Sequence, residues 1–175
     1  NATNLQFKKV RKKKVVNYCN YDGTYVAGDL MGPFPPSLGN NRYVLTLVNP
    51  IDNISSMIYS IPIANKEGST VAQALEEWFN STFKFGITLT HLHGDNGEFA
   101  SKEVVDFCNR FGIAQSFNAP EAHEHVGIVE IANKITRRIA KACMKQFNVP
   151  TQLWGEAMKY ASAILSIRNG AYEKR

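Results

Sequence analysis

A chain of 175 residues, 44% of them apolar, is long enough to bury one substantial core, which argues against wholesale disorder and against a small stapled scaffold. Three cysteines, Cys19, Cys108 and Cys143, form no CxxC pair and fit a reducing compartment. No apolar run approaches the roughly 18 residues of a membrane span and no signal peptide opens the chain, so a soluble protein, away from membranes, is expected.

The net charge of +5 is concentrated in an arm: Lys8, Lys9, Arg11, Lys12, Lys13 and Lys14 fall within residues 1–14, which hold no acid, and the rest of the chain sums to −1. Such a run reads as a tail touching nucleic acid, a nuclear-import signal or a solvated linker. Residues 1–20 are therefore taken as arm and linker, and 21–175 as one folded domain.

Three strand-like segments open that domain. Tyr25–Met31 ends at the Gly32-Pro33 turn, Tyr43–Val48 is rich in β-branched residues, and Met57–Ile63 follows a polar turn at Asp52-Asn53. Their closeness predicts an antiparallel meander. Val71, Leu75, Trp78, Phe79 and Thr82 then recur at helical spacing over Ser69–Phe83, with Gly86 marking the stop. Ile87–His93 reads as a strand ending at Gly94-Asp95-Asn96-Gly97. Ser101 is placed to cap a helix over Lys102–Phe111, with Val104, Val105, Phe107 and Cys108 inward and Gly112 closing it. A short strand, Ile113–Phe117, a loop over Asn118–Val126, a long helix over Gly127–Gln146 and a last helix from Thr151 to about Ser166 complete the chain. The expected fold is α/β: a mixed five-stranded sheet, antiparallel meander plus parallel strands, flanked by helices in a ribonuclease H-like order, which order alone does not separate from other α/β layouts.

Three acids occupy special places in this layout. Asp29 interrupts an apolar strand, Val26-Ala27-Gly28-Asp29-Leu30. Asp95 stands at the carboxyl end of the fourth strand, where open α/β sheets place ligands. Glu130 lies in the first turns of the long helix, among Ile128, Val129, Ile131 and Ala132. An isolated carboxylate so placed is costly to bury, whereas several that share metal ions are not. Two magnesium or manganese ions, held by a few carboxylates plus water and phosphate, are what in-line phosphoryl transfer requires. Asp29 is the candidate for the ligand shared by both ions, with Asp95 and Glu130 completing one each. Singly, each acid reads as blandly as a strand-edge Asp, a turn Asp or a solvated Glu; the triplet carries the inference.

The motifs around these acids resemble those of retroviral and long-terminal-repeat retrotransposon integrase catalytic cores. Asp29-Leu30-Met31-Gly32-Pro33 is similar to the first-aspartate motif, and Gly94-Asp95-Asn96-Gly97-Glu98-Phe99-Ala100-Ser101 to the second. Phe107-Cys108-Asn109-Arg110-Phe111-Gly112-Ile113 fits the helix and Gly-Ile step that follow. Val126-Gly127-Ile128-Val129-Glu130 with Asn133-Lys134 resembles the glutamate helix, and Leu153-Trp154-Gly155-Glu156-Ala157 a copia-type downstream signature. The resemblance covers residues 25–170 with the motifs in order. It implies a polynucleotidyl transferase that trims a DNA 3′ end and joins it to target DNA. There are departures: Asp95 and Glu130 enclose 34 residues, one fewer than the family's usual interval, the gap falling at Gly97-Glu98. Val126 stands where a polar residue is usual, Ile131 where copia-type elements have arginine, and Asn49-Pro50 where an acid is usual.

The glutamate helix has a basic side. Asn133, Lys134 and Arg137 follow Glu130 at i+3, i+4 and i+7, with Arg138, Lys141 and Lys145 beyond. Asn133, Lys134, Arg137, Lys141 and, in the loop, His125 are the expected DNA contacts, and the resemblance implies that role for Lys134 and Arg137. His91-x-His93 and His123-x-His125 lack a suitably spaced cysteine, so zinc is not expected. Trp78 and Trp154 read as core. Expected partners are DNA, a second copy of the chain in a homodimer or higher multimer, and a host tethering factor. The expected location is the nucleus, with a cytoplasmic particle stage for a retrotransposon. A rival reading is a domesticated DNA-binding or protein-interaction module without catalysis, and a cellular ribonuclease H is a third.

Overall fold

Strands β1 (Tyr25–Met31), β2 (Tyr43–Pro50) and β3 (Ser56–Ile63) form the expected antiparallel meander, and β4 (His91–Gly94) and β5 (Ala114–Phe117) add to the free side of β1 in parallel. The order across the sheet is β3-β2-β1-β4-β5. These coordinates are a computed structural model, and the structure describes residues 24–51, 56–83, 89–117 and 127–168. The basic arm, Gly86, the proposed strand start at Ile87 and the loop carrying His123 and His125 lie outside the described residues.

Strand alternation sorts the core into two layers. Val26 and Leu30 of β1, Leu45 and Leu47 of β2 and Leu92 of β4 face α1 (Gly68–Phe83) and α2 (Lys102–Phe111), which cover them with Val71, Leu75, Trp78, Phe79, Val104 and Phe107. Ala27, Val48 and Ile58 point the other way, to Val129 and Ala132 of α3 (Gly127–Gln146) and Leu165 of α4 (Trp154–Arg168). Val44 meets Ala140, Trp154, Met158 and Ala161 on that same side. Covering both faces buries every residue of β2 from Val44 to Pro50. Each fully buried Leu or Val contributes about 1.5–3 kcal/mol by leaving water.

The helix limits read from sequence hold for α2 and α3, and the differences elsewhere have local causes. β5 begins at Ala114 rather than Ile113 because the Ile113 N–H closes α2, donating to the Cys108 carbonyl at 2.8 Å across left-handed Gly112 (φ 67°). β4 is shorter than expected: Leu89 and Thr90 precede the strand, and the Thr90 N–H bonds the Thr24 carbonyl at 2.9 Å. Ser101 sits at the start of α2 but its hydroxyl makes no capping bond and is buried without a partner. Thr151–Leu153 is a 3-10 turn, and α4 proper starts at Trp154.

The outer strand β3 is fastened to α4. Ser166 Oγ accepts the Ile58 N–H at 2.8 Å, and its own proton lies within reach of the Ile58 carbonyl (3.2 Å) and the Ser162 carbonyl (2.9 Å).

Candidate functional site

Alternation places Asp29 on the same face of β1 as Ala27 and Met31, turned toward α3. The parallel register pairs Ala27 with His93, so two residues further on β1 reaches Asp29 while the neighbouring chain reaches Asp95. Asp29 Oδ1 accepts the Leu30 N–H at 2.8 Å, and Oδ2 accepts from Asn133 Nδ2 at 2.7 Å. Asp95 Oδ1 accepts the Gly97 N–H at 3.3 Å. Glu130, in the first turn of α3, is exposed.

Burial raises the Asp29 carboxyl above its ordinary range, the two hydrogen bonds oppose that shift, and repulsion from Asp95 and Glu130 adds to it. The fold therefore brings Asp95 and Glu130, from two other elements, into electrostatic range of Asp29. Among the described residues no group of three or more His, Cys, Asp or Glu side chains is arranged to hold a metal ion. The three carboxylates offer only hard oxygens, the donor type that magnesium takes together with water and phosphate.

Two glycines and a phenylalanine fix the acid-bearing strands. Gly28 precedes Asp29 and Gly94 precedes Asp95, and the buried Phe99 ring lies over both. A Cβ on Gly28 would stand 2.5 Å from that ring and one on Gly94 would stand 2.4 Å from it. Phe99 comes from a 3-10 turn, Glu98–Ala100, whose carbonyl at Phe99 accepts from Gln115 Nε2 at 3.1 Å. Sequence reading gave Phe99 no role beyond its place in the motif.

Of the expected DNA contacts, Lys134, Arg137 and Lys141 are exposed and, with Arg138, line one groove beside Met31 and Asn133. Asn133 is different: only 8% exposed, it turns its carboxamide to Asp29 and holds that carboxylate in place. His125 lies outside the described residues. Lys66, missed from sequence, shares a cleft of about 260 Å³ with Asp95 and pairs with Glu98 at 3.2 Å. It comes from the β3–α1 connection, and no local pattern marks it.

His91 Nε2 and His93 Nδ1 both bond Ser116 Oγ at 2.8 Å, and Tyr25 stacks on both rings. Burial and the neighbouring His93 hold His91 below the usual imidazole range. Cys108 and Cys143 are free thiols, and burial pushes Cys108 up to about 11.

The family model described as integrase core domain matches residues 22–123, more than half of the chain. The chain belongs to the integrase core domain family. The matched span includes Asp29 and Asp95 and stops before Glu130. Among curated relatives, the retrovirus-related Pol polyprotein from transposon 412 of Drosophila melanogaster is 27% identical over 135 residues, covering 77% of this chain and 10% of the relative. That from transposon TNT 1-94 of Nicotiana tabacum is 26% identical over 144 residues, covering 81% of this chain and 10% of the relative. The integrase core described here thus spans about a tenth of the length of these polyproteins.

Solved structures agree in fold. The catalytic core domain of BIV integrase superposes with a TM-score of 0.55 at 19% identity, covering 87% of this chain and 86% of that one. A chain of the simian T-cell lymphotropic virus intasome, solved in complex with PP2A regulatory subunit B56 gamma, gives 0.62 at 18% identity, covering 80% of this chain and 47% of that one. The mixed sheet flanked by four helices is the ribonuclease H-like fold of integrases.

Proposed function

We propose that this integrase core performs metal-dependent phosphoryl transfer on DNA, trimming a 3′ end and then joining it to a target strand. The observation that carries this reading is the convergence of Asp29, Asp95 and Glu130 from β1, the end of β4 and α3, close enough for the latter two to perturb the first. Asp29, Asp95 and Glu130 would hold two magnesium or manganese ions, which activate the attacking oxygen and stabilise the leaving one when bound. Asn133 and the Leu30 N–H orient the two oxygens of Asp29, and the Gly97 N–H steadies Asp95. Lys134, Arg137 and Lys141 give phosphates a cationic track leading to these acids. Both reactions are displacements at phosphorus, so one site serves both.

The test is DNA 3′-end nicking and strand joining in magnesium or manganese, with Asp95→Asn and Glu130→Gln as variants. Each is expected to lose at least about a hundredfold in rate, because metal ions supply several kcal/mol of transition-state stabilisation. Wild-type activity unaffected by either substitution would overturn the assignment. A catalytically silent DNA-binding or protein-interaction module is the second reading, favoured by Ile131, which is 59% exposed beside Glu130; it predicts divalent-independent DNA binding and no product from the wild type. A second copy of the chain, a host protein and nuclear import through the basic arm belong to this proposal as well. Support for a host partner is indirect, from the simian virus assembly seen with a phosphatase subunit.

A further inference from the structure

The basic groove adjoins a second space. Met31, Asn133, Lys134, Arg137, Arg138 and Lys141 line a space of about 380 Å³ that starts beside the Asp29–Asn133 contact. Arg137 and Lys141 also border a second space of about 380 Å³, set between α3, the start of α4 and the β1–β2 connection. Its walls have the opposite chemistry: Phe34, Ala140, Met144, Trp154 and Met158. Phe34 leans on Trp154 with ring centroids 4.8 Å apart, and the Arg137 guanidinium lies 5.8 Å from the Phe34 ring centre. Trp154 donates its indole N–H to the Pro35 carbonyl at 2.7 Å, so the aromatic wall is tied to the β1–β2 connection before any ligand arrives.

An apolar, aromatic chamber opening onto a cationic track suits a flat ring attached to a phosphate chain. We propose that this chamber receives one unpaired nucleobase of the DNA strand, with Arg137 and Lys141 holding its flanking phosphates. The inference rests on the DNA-handling reading above and extends it to a specific subsite. The cationic rim disfavours a basic or purely apolar peptide, and continuity with the phosphate groove favours a nucleotide. Aromatic walls accept any base, because every base has a stacking face, so the subsite would read single-strandedness rather than sequence.

Its place along the strand follows from helix geometry. Arg137 is seven residues beyond Glu130, about 10 Å along α3 at 1.5 Å per residue. That distance corresponds to about three nucleotides at the 3.4 Å spacing of one B-form strand. A base at that step must leave the duplex to enter, which costs least at a frayed or mismatched end.

The experiment compares binding of the full chain to a short oligothymidylate and to an abasic oligodeoxyribose phosphate of the same length and charge. Stacking predicts that the wild type prefers the oligothymidylate by about 5- to 150-fold, the range equivalent to ~1–3 kcal/mol per stacked base. Thr151 is exposed on the chamber's rim, and Thr151→Trp fills the space without removing a core contact. That variant should abolish the preference and leave abasic binding unchanged, and Phe34→Ala, checked for folding by circular dichroism, should also abolish the preference. Arg137→Gln should weaken both ligands alike. Equal wild-type affinity for the two ligands, or a preference that survives Thr151→Trp, would overturn the base subsite while leaving the phosphate track intact. Absence of salt-dependent binding to either ligand would overturn the subsite and the DNA reading together.

Discussion

Replacing Gly94 by alanine would drive a methyl group to 2.4 Å from the Phe99 ring, which already fills the space over Gly28. Overpacking of this kind costs about 1–3 kcal/mol. Gly94→Ala should therefore lower the urea midpoint, and adding Phe99→Leu should return part of the loss; strict additivity of the two changes would contradict the shared contact. Asp29 gives a second residue-scale expectation. Its carboxyl binds a proton more tightly folded than unfolded. The resulting contribution to stability is fully present below the unfolded pKa and is lost as pH rises through the folded one. Without divalent ions, Asp29→Asn should raise the melting temperature at neutral pH, and the gain should shrink on acidification; thermal scans across pH would show it. A lower melting temperature at neutral pH would mean that the Leu30 and Asn133 bonds outweigh burial and repulsion together. Asp29 was legible in sequence because a charge breaks an apolar strand. The Phe99 clamp was not, since its glycines answer to a ring that reaches both strands from a 3-10 turn, which no local period records.

Helix α3 carries three demands on one periodicity. Val129, Ala132, Thr136 and Ala140 are buried, Glu130 and Asn133 flank Asp29, and Lys134, Arg137 and Lys141 look outward. Its limits were readable because each demand repeats at helical spacing over 20 residues. The four-residue strands were harder: the start of β5 depends on how α2 closes, a competition for one N–H that a hydrophobic pattern cannot express. Asn133 was assigned to the basic face by its i+3 offset from Glu130. That offset is real: Asn133 lines the groove with the cations, and it is also nearly buried and bonded to Asp29. The outward cations lend themselves to a salt titration. Lys134→Ala and Arg137→Ala should each weaken duplex binding regardless of sequence and reduce the slope of log affinity against log salt by about one. An unchanged slope would show that the helix face does not meet phosphates.

Across the whole molecule, a meander followed by strand–helix units leaves few topologies, and the observed order sets β1 between β2 and β4. The central strand is the one that holds Asp29, so the sheet's most supported position and its chemistry coincide. The same order leaves β3 as an outer strand with a face of main-chain polar groups. Ser166 meets that edge at Ile58, occupying both the N–H and the carbonyl from a single side chain. Ser166→Ala would leave the Ile58 N–H buried without a partner, at about 1–3 kcal/mol. The loss should appear as a lower urea midpoint with an unchanged slope, because α4 still covers the strand. One hydroxyl on the last turns of α4 thus acts as a rivet between the sheet's outer strand and the helix that closes over it.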